Sequence, residues 1–297
     1  MAGELSIARA TTPIPANGRL EVARDVVLSW RPGSYVDTFN VYFGTDANDV
    51  NEATVDDPRG VLVVRDRAEA DYTYTPDNLL DYGTTYYWRI DEVNDADTNS
   101  PWRGNVRSFT TADYAVIDDF ESYNDINEGE EGSNRIYNVW VDGYANPNTN
   151  GSTIGYPDPD FANGEHFVEA NIVHGGKQSG PFLYNNTTAS YSEVTLAIST
   201  LGGNWTDQVN TLSLWFYGDP NNAGTEQLYV KLNNSKMLIN SVDLTQAAWQ
   251  NVEIPLVDFG IDLTNVTQIV IGLERIGATG SEGILLMDDL RVRAVKQ

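Results

Sequence analysis

No cysteine occurs anywhere in the 297 residues, which excludes disulfides, a thiolate nucleophile and any cysteine-based zinc site. Basic residues are scarce as well: 18 Lys and Arg stand against 43 Asp and Glu, a formal net charge of -25. Nucleic-acid binding needs clustered cations to neutralise phosphates, so that class is excluded, and anionic membrane surfaces are disfavoured for the same reason. No apolar run approaches the roughly 20 residues needed to span a bilayer. The opening stretch "MAGELSIARA" carries no apolar leader segment. The only histidines, His166 and His174, lack the HExxH spacing, and neither a GxSxG elbow nor a phosphate-binding loop occurs. Helical periodicity is missing throughout.

What remains is 41% hydrophobic and 11% aromatic, enough to fill the cores of two ordinary domains. Short runs alternate apolar and polar residues between clusters of Gly, Asn, Asp and Pro, which is an all-β pattern. A break falls near "SFTTADYAV": 10 Lys and Arg meet 18 Asp and Glu up to Ala112, and 8 meet 25 beyond it. Residues 1–112 and 113–297 are therefore expected to form two β-sandwiches, the second more acidic. An acidic, Asn/Asp/Gly-rich, cysteine-free composition fits a secreted or cell-surface bacterial protein, expected here to be a monomer.

In the first segment Leu28 and Trp30 share one side of a strand in "DVVLSWRPG". Phe39, Val41 and Phe43 share one side in "TFNVYFGTD", and Tyr86, Trp88 and Ile90 do so in "TTYYWRIDEV". Together with Leu80 and the closing "VRSFTT", this segment resembles a fibronectin type III domain. The resemblance implies that the Tyr86 hydroxyl bonds back to the turn after Leu80, and that the domain acts as a spacer.

In the second segment, "TLSLWFYG" and "QLYVKLN" flank the turn-rich "DPNNAGTE" and are expected to pair as a hairpin. Leu212, Leu214 and Phe216 then face the core with Leu228, Val230 and Leu232. Trp215, Tyr217, Tyr229 and Lys231 gather on the other face. Rings with polar tips beside a lysine suit sugars, whose C–H faces stack and whose hydroxyls bond at the rim; Lys231 could also bond a uronate. The alternative is a small second core under a loop. The long segment 134–167, with Tyr137, Trp140, Tyr144 and Tyr156, is either that lid or a recognition loop contributing Trp140 and Tyr144.

Asp118, Asp119 and Glu121 crowd the first strand of this segment, and Asp288 and Asp289 lie in the last. If those strands are neighbours, the carboxylates converge, and an oxygen-seeking cation such as calcium would neutralise them. Otherwise they are solvated strand ends. The landmarks "IDDFESY", "HGGKQSGPFLYNN", "WQNVEIPLVDFG" and "LLMDDLRV" resemble those of jelly-roll carbohydrate-binding modules in the galactose-binding-like superfamily, closest to family 11 β-glucan-binding modules. That resemblance implies structural Ca2+ at Glu121 and Asp288, with Asp119 and Asp289 beside them and backbone oxygens near Gly175 and Lys177. It also places Tyr184 near a ligand-contacting ring, although strand parity allows Tyr184 to face the core beside Phe182.

The expected function is non-catalytic binding of a polysaccharide, a β-glucan or another plant or algal glycan, within a larger secreted protein. Two alternatives stand beside it. One is a glycoside hydrolase or lyase, for which Asp142, Glu193, Glu226, Glu274, Tyr191 and His174 can be nominated without a motif to select among them. The other is a calcium-dependent adhesion protein, because fold alone does not assign function.

Overall fold

The computed structural model describes residues 9–68, 71–198 and 208–294, and these fall into two compact units that divide between Asp113 and Tyr114. Residues 1–8, 69–70, 199–207 and 295–297 lie outside the described part. Among the described residues no helix is long and apolar enough to cross a membrane. Strands dominate both units; the helical pieces are short, such as Ala47–Glu52 and Ile136–Val139.

The first unit contains β1 (Thr11–Ile14), β2 (Arg19–Val22), β3 (Leu28–Arg31), β4 (Thr38–Gly44), β5 (Leu62–Arg67), β6 (Thr73–Tyr74), β7 (Thr85–Val93) and β8 (Arg107–Thr111). A three-stranded sheet, β1-β3-β6, faces a five-stranded one, β2-β8-β7-β4-β5. Leu28, Trp30, Phe39, Val41, Trp88 and Ile90 fill the space between, as alternation requires. Tyr86 Oη accepts the Asp81 N–H at 3.0 Å, so the phenol fastens the turn that enters β7. The other face of β7 is buried too. Arg89 caps the short helix by donating to the carbonyls of Val50, Asn51 and Ala53, and it pairs with the buried Asp91 at 2.9 Å. Its guanidinium lies over Tyr42, which explains why Tyr42 is buried although alternation points it outward.

The second unit contains β9 (Tyr114–Asp118), β10 (Trp140–Val141), β11 (Ser152–Ile154), β12 (Gly180–Asn185), β13 (Tyr191–Ala197), β14 (Val209–Tyr217), β15 (Glu226–Leu232), β16 (Ser235–Ile239), β17 (Trp249–Pro255), β18 (Gln268–Arg275) and β19 (Glu282–Ala294). One sheet runs β11-β12-β19-β14-β17, with β9 also paired to β19; the other runs β10-β13-β18-β15-β16. The first and last strands are neighbours, with Asp118 opposite Leu290. The core lies between the sheets, where Leu212, Leu214 and Phe216 meet Leu228, Val230 and Leu232.

That meeting corrects the expected hairpin. β14 pairs with β17 and β19, whereas β15 pairs with β16 and β18. The aliphatic faces of β14 and β15 do coincide, but across the core from opposite sheets rather than side by side in one. The connection between them is an arch, not a turn. Asn222 holds it: its amide nitrogen donates to the carbonyls of Leu244 and Ile284, and its oxygen accepts the Ile284 N–H at 3.0 Å. A buried asparagine satisfied on three sides fixes the crossover at a place where a hairpin would leave it unpaired.

Candidate functional site

Asp118 ends β9 buried, and three donors converge on it. The Phe120 N–H reaches one oxygen at 2.8 Å, while Trp140 Nε1 (2.7 Å) and the Tyr123 hydroxyl reach the other. Burial pushes its carboxyl above the ordinary aspartate range. Trp140 is 0% exposed and stacked on Phe120, so it belongs to the core and not to any ligand surface. Tyr184 is likewise 2% exposed, facing inward with Phe182 as strand parity allows. Both leave the set of sugar contacts.

Glu121, just beyond β9, and Asp288 and Asp289 of β19 converge on one loop, residues 174–178. Glu121 Oε1 accepts the N–H groups of Lys177 (2.7 Å) and Gln178 (2.8 Å). Asp288 Oδ2 accepts those of His174 (2.8 Å) and Gly175 (3.1 Å), and its Oδ1 accepts that of Asp289. Asp289 contacts His174 Nδ1 at 2.6 Å and Arg291 on its other oxygen. Asp119 is turned to the Glu121 N–H at 3.2 Å. Gly176, at φ +62, lets the loop pass so close that a Cβ there would sit 2.3 Å from the Glu121 carboxyl.

This geometry bears directly on the expected calcium. A calcium shell is built of oxygens, six to eight of them. Here Asp288 and Asp289 turn both oxygens toward N–H donors or a guanidinium, and Lys177 turns its N–H to Glu121. Among the described residues no group of three or more acidic or imidazole side chains is arranged to hold a metal. In this arrangement N–H donors and the Arg291 guanidinium, rather than a shell of oxygens, surround Asp288 and Asp289.

The expected ring platform divides between the two sheets. Tyr229 and Lys231 lie on the outer face of the β15 sheet, where the Tyr229 ring rests on Gly272 and is 1% exposed. Its hydroxyl donates to Glu193 Oε1 at 2.6 Å; Lys231 pairs with that same oxygen. Lys236 sits 4.0 Å from the Tyr229 ring centre and pairs with Glu274 at 2.6 Å. Burial raises the Tyr229 hydroxyl, and Glu193 raises it further. Tyr229 and Lys231 thus share one Glu193 oxygen, and the buried Tyr229 ring offers no face to a ligand.

Trp215 and Tyr217 lie on the outer face of the other sheet, where pairing adds rings that spacing did not suggest. Tyr217 is directly opposite Trp249 on β17, and the two rings meet edge to face at 5.5 Å. His174, carried by the pinned loop, stacks on Trp215 at 3.8 Å and meets Trp249 at 5.8 Å. The result is a continuous cluster of four partly exposed rings, with Asn251 beside Trp215 in register. The long loop forms something different. Tyr144, 65% exposed, lines a cavity of about 440 Å³ together with Tyr137, Tyr156, Phe167 and Arg135.

Four of the residues nominated for catalysis have structural partners. Glu193 and Glu274 are ion-paired; Glu226 is buried against Asn186 and Ser281. Asp142 accepts the N–H groups of Tyr144 and Ile154.

No family model and no curated protein matches the chain. Among solved structures it is similar to a family 11 carbohydrate-binding module of a cellulosomal cellulase of Clostridium thermocellum, at 16% identity and TM-score 0.35, over 62% of this chain and 96% of that one. It is also similar to a structure of carbohydrate-binding modules from the β-sandwich superfamily (13% identity, TM-score 0.37, 97% and 98% of the two chains). A β-1,2-glucanase from Parabacteroides distasonis matches at 16% identity and TM-score 0.35, over 49% of this chain and 23% of that one.

Proposed function

We propose that the second unit is a polysaccharide-binding module and that its ligand stacks on Trp215, Tyr217, Trp249 and His174. The observation that carries this reading is the ring cluster itself. Rings needed only for the core would be buried, and a merely soluble sheet face would be polar. These four are neither: they stay partly exposed while packed edge to face and face to face. Pyranose rings have apolar C–H faces that such a surface accepts, and hydroxyls that neighbouring polar groups, among them Asn251, can meet. The acidic balance of the unit favours an uncharged polymer over a uronate or a sulfate.

The first unit, in this reading, is a spacer, and the chain is part of a secreted or cell-surface protein without catalysis of its own. Affinity electrophoresis and pull-down on β-glucans, xylans and algal polymers test the reading. Retention on at least one neutral polymer is expected, with Trp249→Ala and Trp215→Ala each weakening it by about 1–2 kcal/mol, roughly 5- to 30-fold in Kd. Retention unaffected by either change, in variants that melt like the parent, would sink the assignment.

A further inference from the structure

We propose a second, separate ligand site in the cavity of the long loop, one that takes the end of a short neutral oligosaccharide. The cavity, about 440 Å³, falls within the roughly 300–1,000 Å³ typical of small-ligand pockets. None of its lining residues belongs to the ring cluster on β14 and β17.

Its walls are built to stay in place. Arg135 donates to the Tyr137 hydroxyl at 2.7 Å, to the Ile126 carbonyl at 2.8 Å and to Asn127 at 2.9 Å, and its guanidinium lies 4.8 Å from the Phe167 ring centre. Tyr137 and Phe167 meet edge to face at 5.1 Å. Asp142 clamps the opposite wall through the Tyr144 N–H (3.0 Å) and the Ile154 N–H (2.8 Å). Asp125 holds the Phe167 N–H at 3.1 Å and the His166 ring at 2.6 Å. Gly155, at φ +80, passes where a Cβ would sit 2.8 Å from Ile136 and 2.9 Å from the Phe167 carbonyl. A loop so tied bears little ordering cost when a ligand enters.

The chemistry of the lining selects the ligand. Because Arg135 donates to Tyr137 Oη, the phenolic proton of Tyr137 remains available to a ligand oxygen. Asp142 and Asp158 offer acceptors for hydroxyl groups, while Tyr137, Tyr144 and Phe167 offer ring surface. One guanidinium faces two carboxylates, so an anionic ligand meets repulsion. The guanidinium already occupies the Phe167 ring, which leaves that face closed to an organic cation. A neutral ligand with hydroxyl edges and C–H faces matches both groups of contacts. The cavity is a pocket rather than an open face, so it suits a chain end, whereas the ring cluster suits the middle of a polymer.

Isothermal titration of the full chain with neutral tetrasaccharides (β-1,3- and β-1,4-glucose, β-1,4-xylose, β-1,4-mannose) and with tetragalacturonate tests this. At least one neutral oligomer should bind, and tetragalacturonate should not. Tyr144→Ala, at an exposed position where folding is not at stake, should weaken that binding at least tenfold while leaving retention on insoluble polymer within about twofold. Trp249→Ala should do the reverse. Oligosaccharide binding that survives Tyr144→Ala but is lost in Trp249→Ala overturns the second site and keeps the platform. Binding of tetragalacturonate, or of no oligomer at all, also overturns it. Loss of polymer retention in neither variant counts against the platform alone.

Discussion

The backbone N–H of His174 donates to Asp288 Oδ2 at 2.8 Å, across 114 positions of sequence, and so the last strand places a ring of the proposed platform. Asp288 also stands opposite Trp215 in the register of β19 and β14. One carboxylate thus fixes the loop that sets His174 on Trp215. Asp288→Ala leaves the N–H groups of His174, Gly175 and Asp289 without that acceptor. A loss of about 1–3 kcal/mol of stability is expected, together with weaker polysaccharide retention. Asp288→Asn keeps an acceptor oxygen and should retain more of both. Burial holds the Asp288 carboxyl up to about 6, so its ionisation opposes folding; the asparagine variant should gain relative to the parent as pH rises from about 4 to about 6. Thermal melting across that range, with retention assays, checks both statements.

Chelation provides a sharp test of how the acidic strands are neutralised. If N–H donors and Arg291 satisfy Asp288, Asp289 and Glu121, excess EDTA should shift the melting temperature of the second unit by no more than about 1 °C, and added calcium should not raise it. Ligand that binds only the native state at about 100 Kd stabilises by about 2.7 kcal/mol, several degrees for a domain of this size. A calcium-dependent rise of that order would show that the carboxylates regroup around an ion.

Tyr229 and Trp249 should separate stability from binding. Tyr229 is buried on Gly272 and bonded to Glu193, so Tyr229→Ala is expected to cost about 3–5 kcal/mol of stability while leaving the retention of the folded fraction unchanged. Trp249 is partly exposed, and its removal should do the opposite, weakening retention with a smaller change in melting. Retention that falls with Tyr229 and not with Trp249 would move the site to the other sheet.

These variants follow a division that alternation alone could not reveal. The period of two marked the inward residues of β14 and β15, because burial of one face is a local property. It could not say which sheet each strand joins, since facing sheets and paired strands demand the same inward pattern. The decision rests with Asn222, which bonds to Leu244 and Ile284 far away in the chain. Trp249 went unassigned for a similar reason: its place beside Tyr217 is a cross-strand register. Trp140 misled because a tryptophan in an Asn- and Gly-rich stretch reads as a surface ring until the buried Asp118 that binds its indole is seen. The Tyr86 contact with the turn was legible only through the resemblance to fibronectin type III domains, which implies it.

Glu92 makes the first unit sensitive to pH in the opposite sense to an ordinary salt-bridged acid. It is fully buried on β7, and both its oxygens face the Gly33 N–H, at 2.9 and 3.0 Å. Desolvation outweighs that bond and raises its carboxyl to about 7. A carboxyl raised in the fold binds its proton more tightly there than in the unfolded chain, whose value lies near 4.5. Its contribution to stability is therefore complete below about pH 4.5 and is lost as pH rises through about 7. At 1.36 kcal/mol per unit the loss amounts to about 3 kcal/mol at most. Glu92→Gln removes the titration and keeps an oxygen for Gly33. The first unit should then melt higher than the parent at pH 8, by about 4–8 °C per kcal/mol recovered for a domain near this size, and nearly alike at pH 4.5. Calorimetric scans of parent and variant at pH 4.5, 6, 7 and 8 measure this; parallel curves at all four values would show that Glu92 stays ionised throughout.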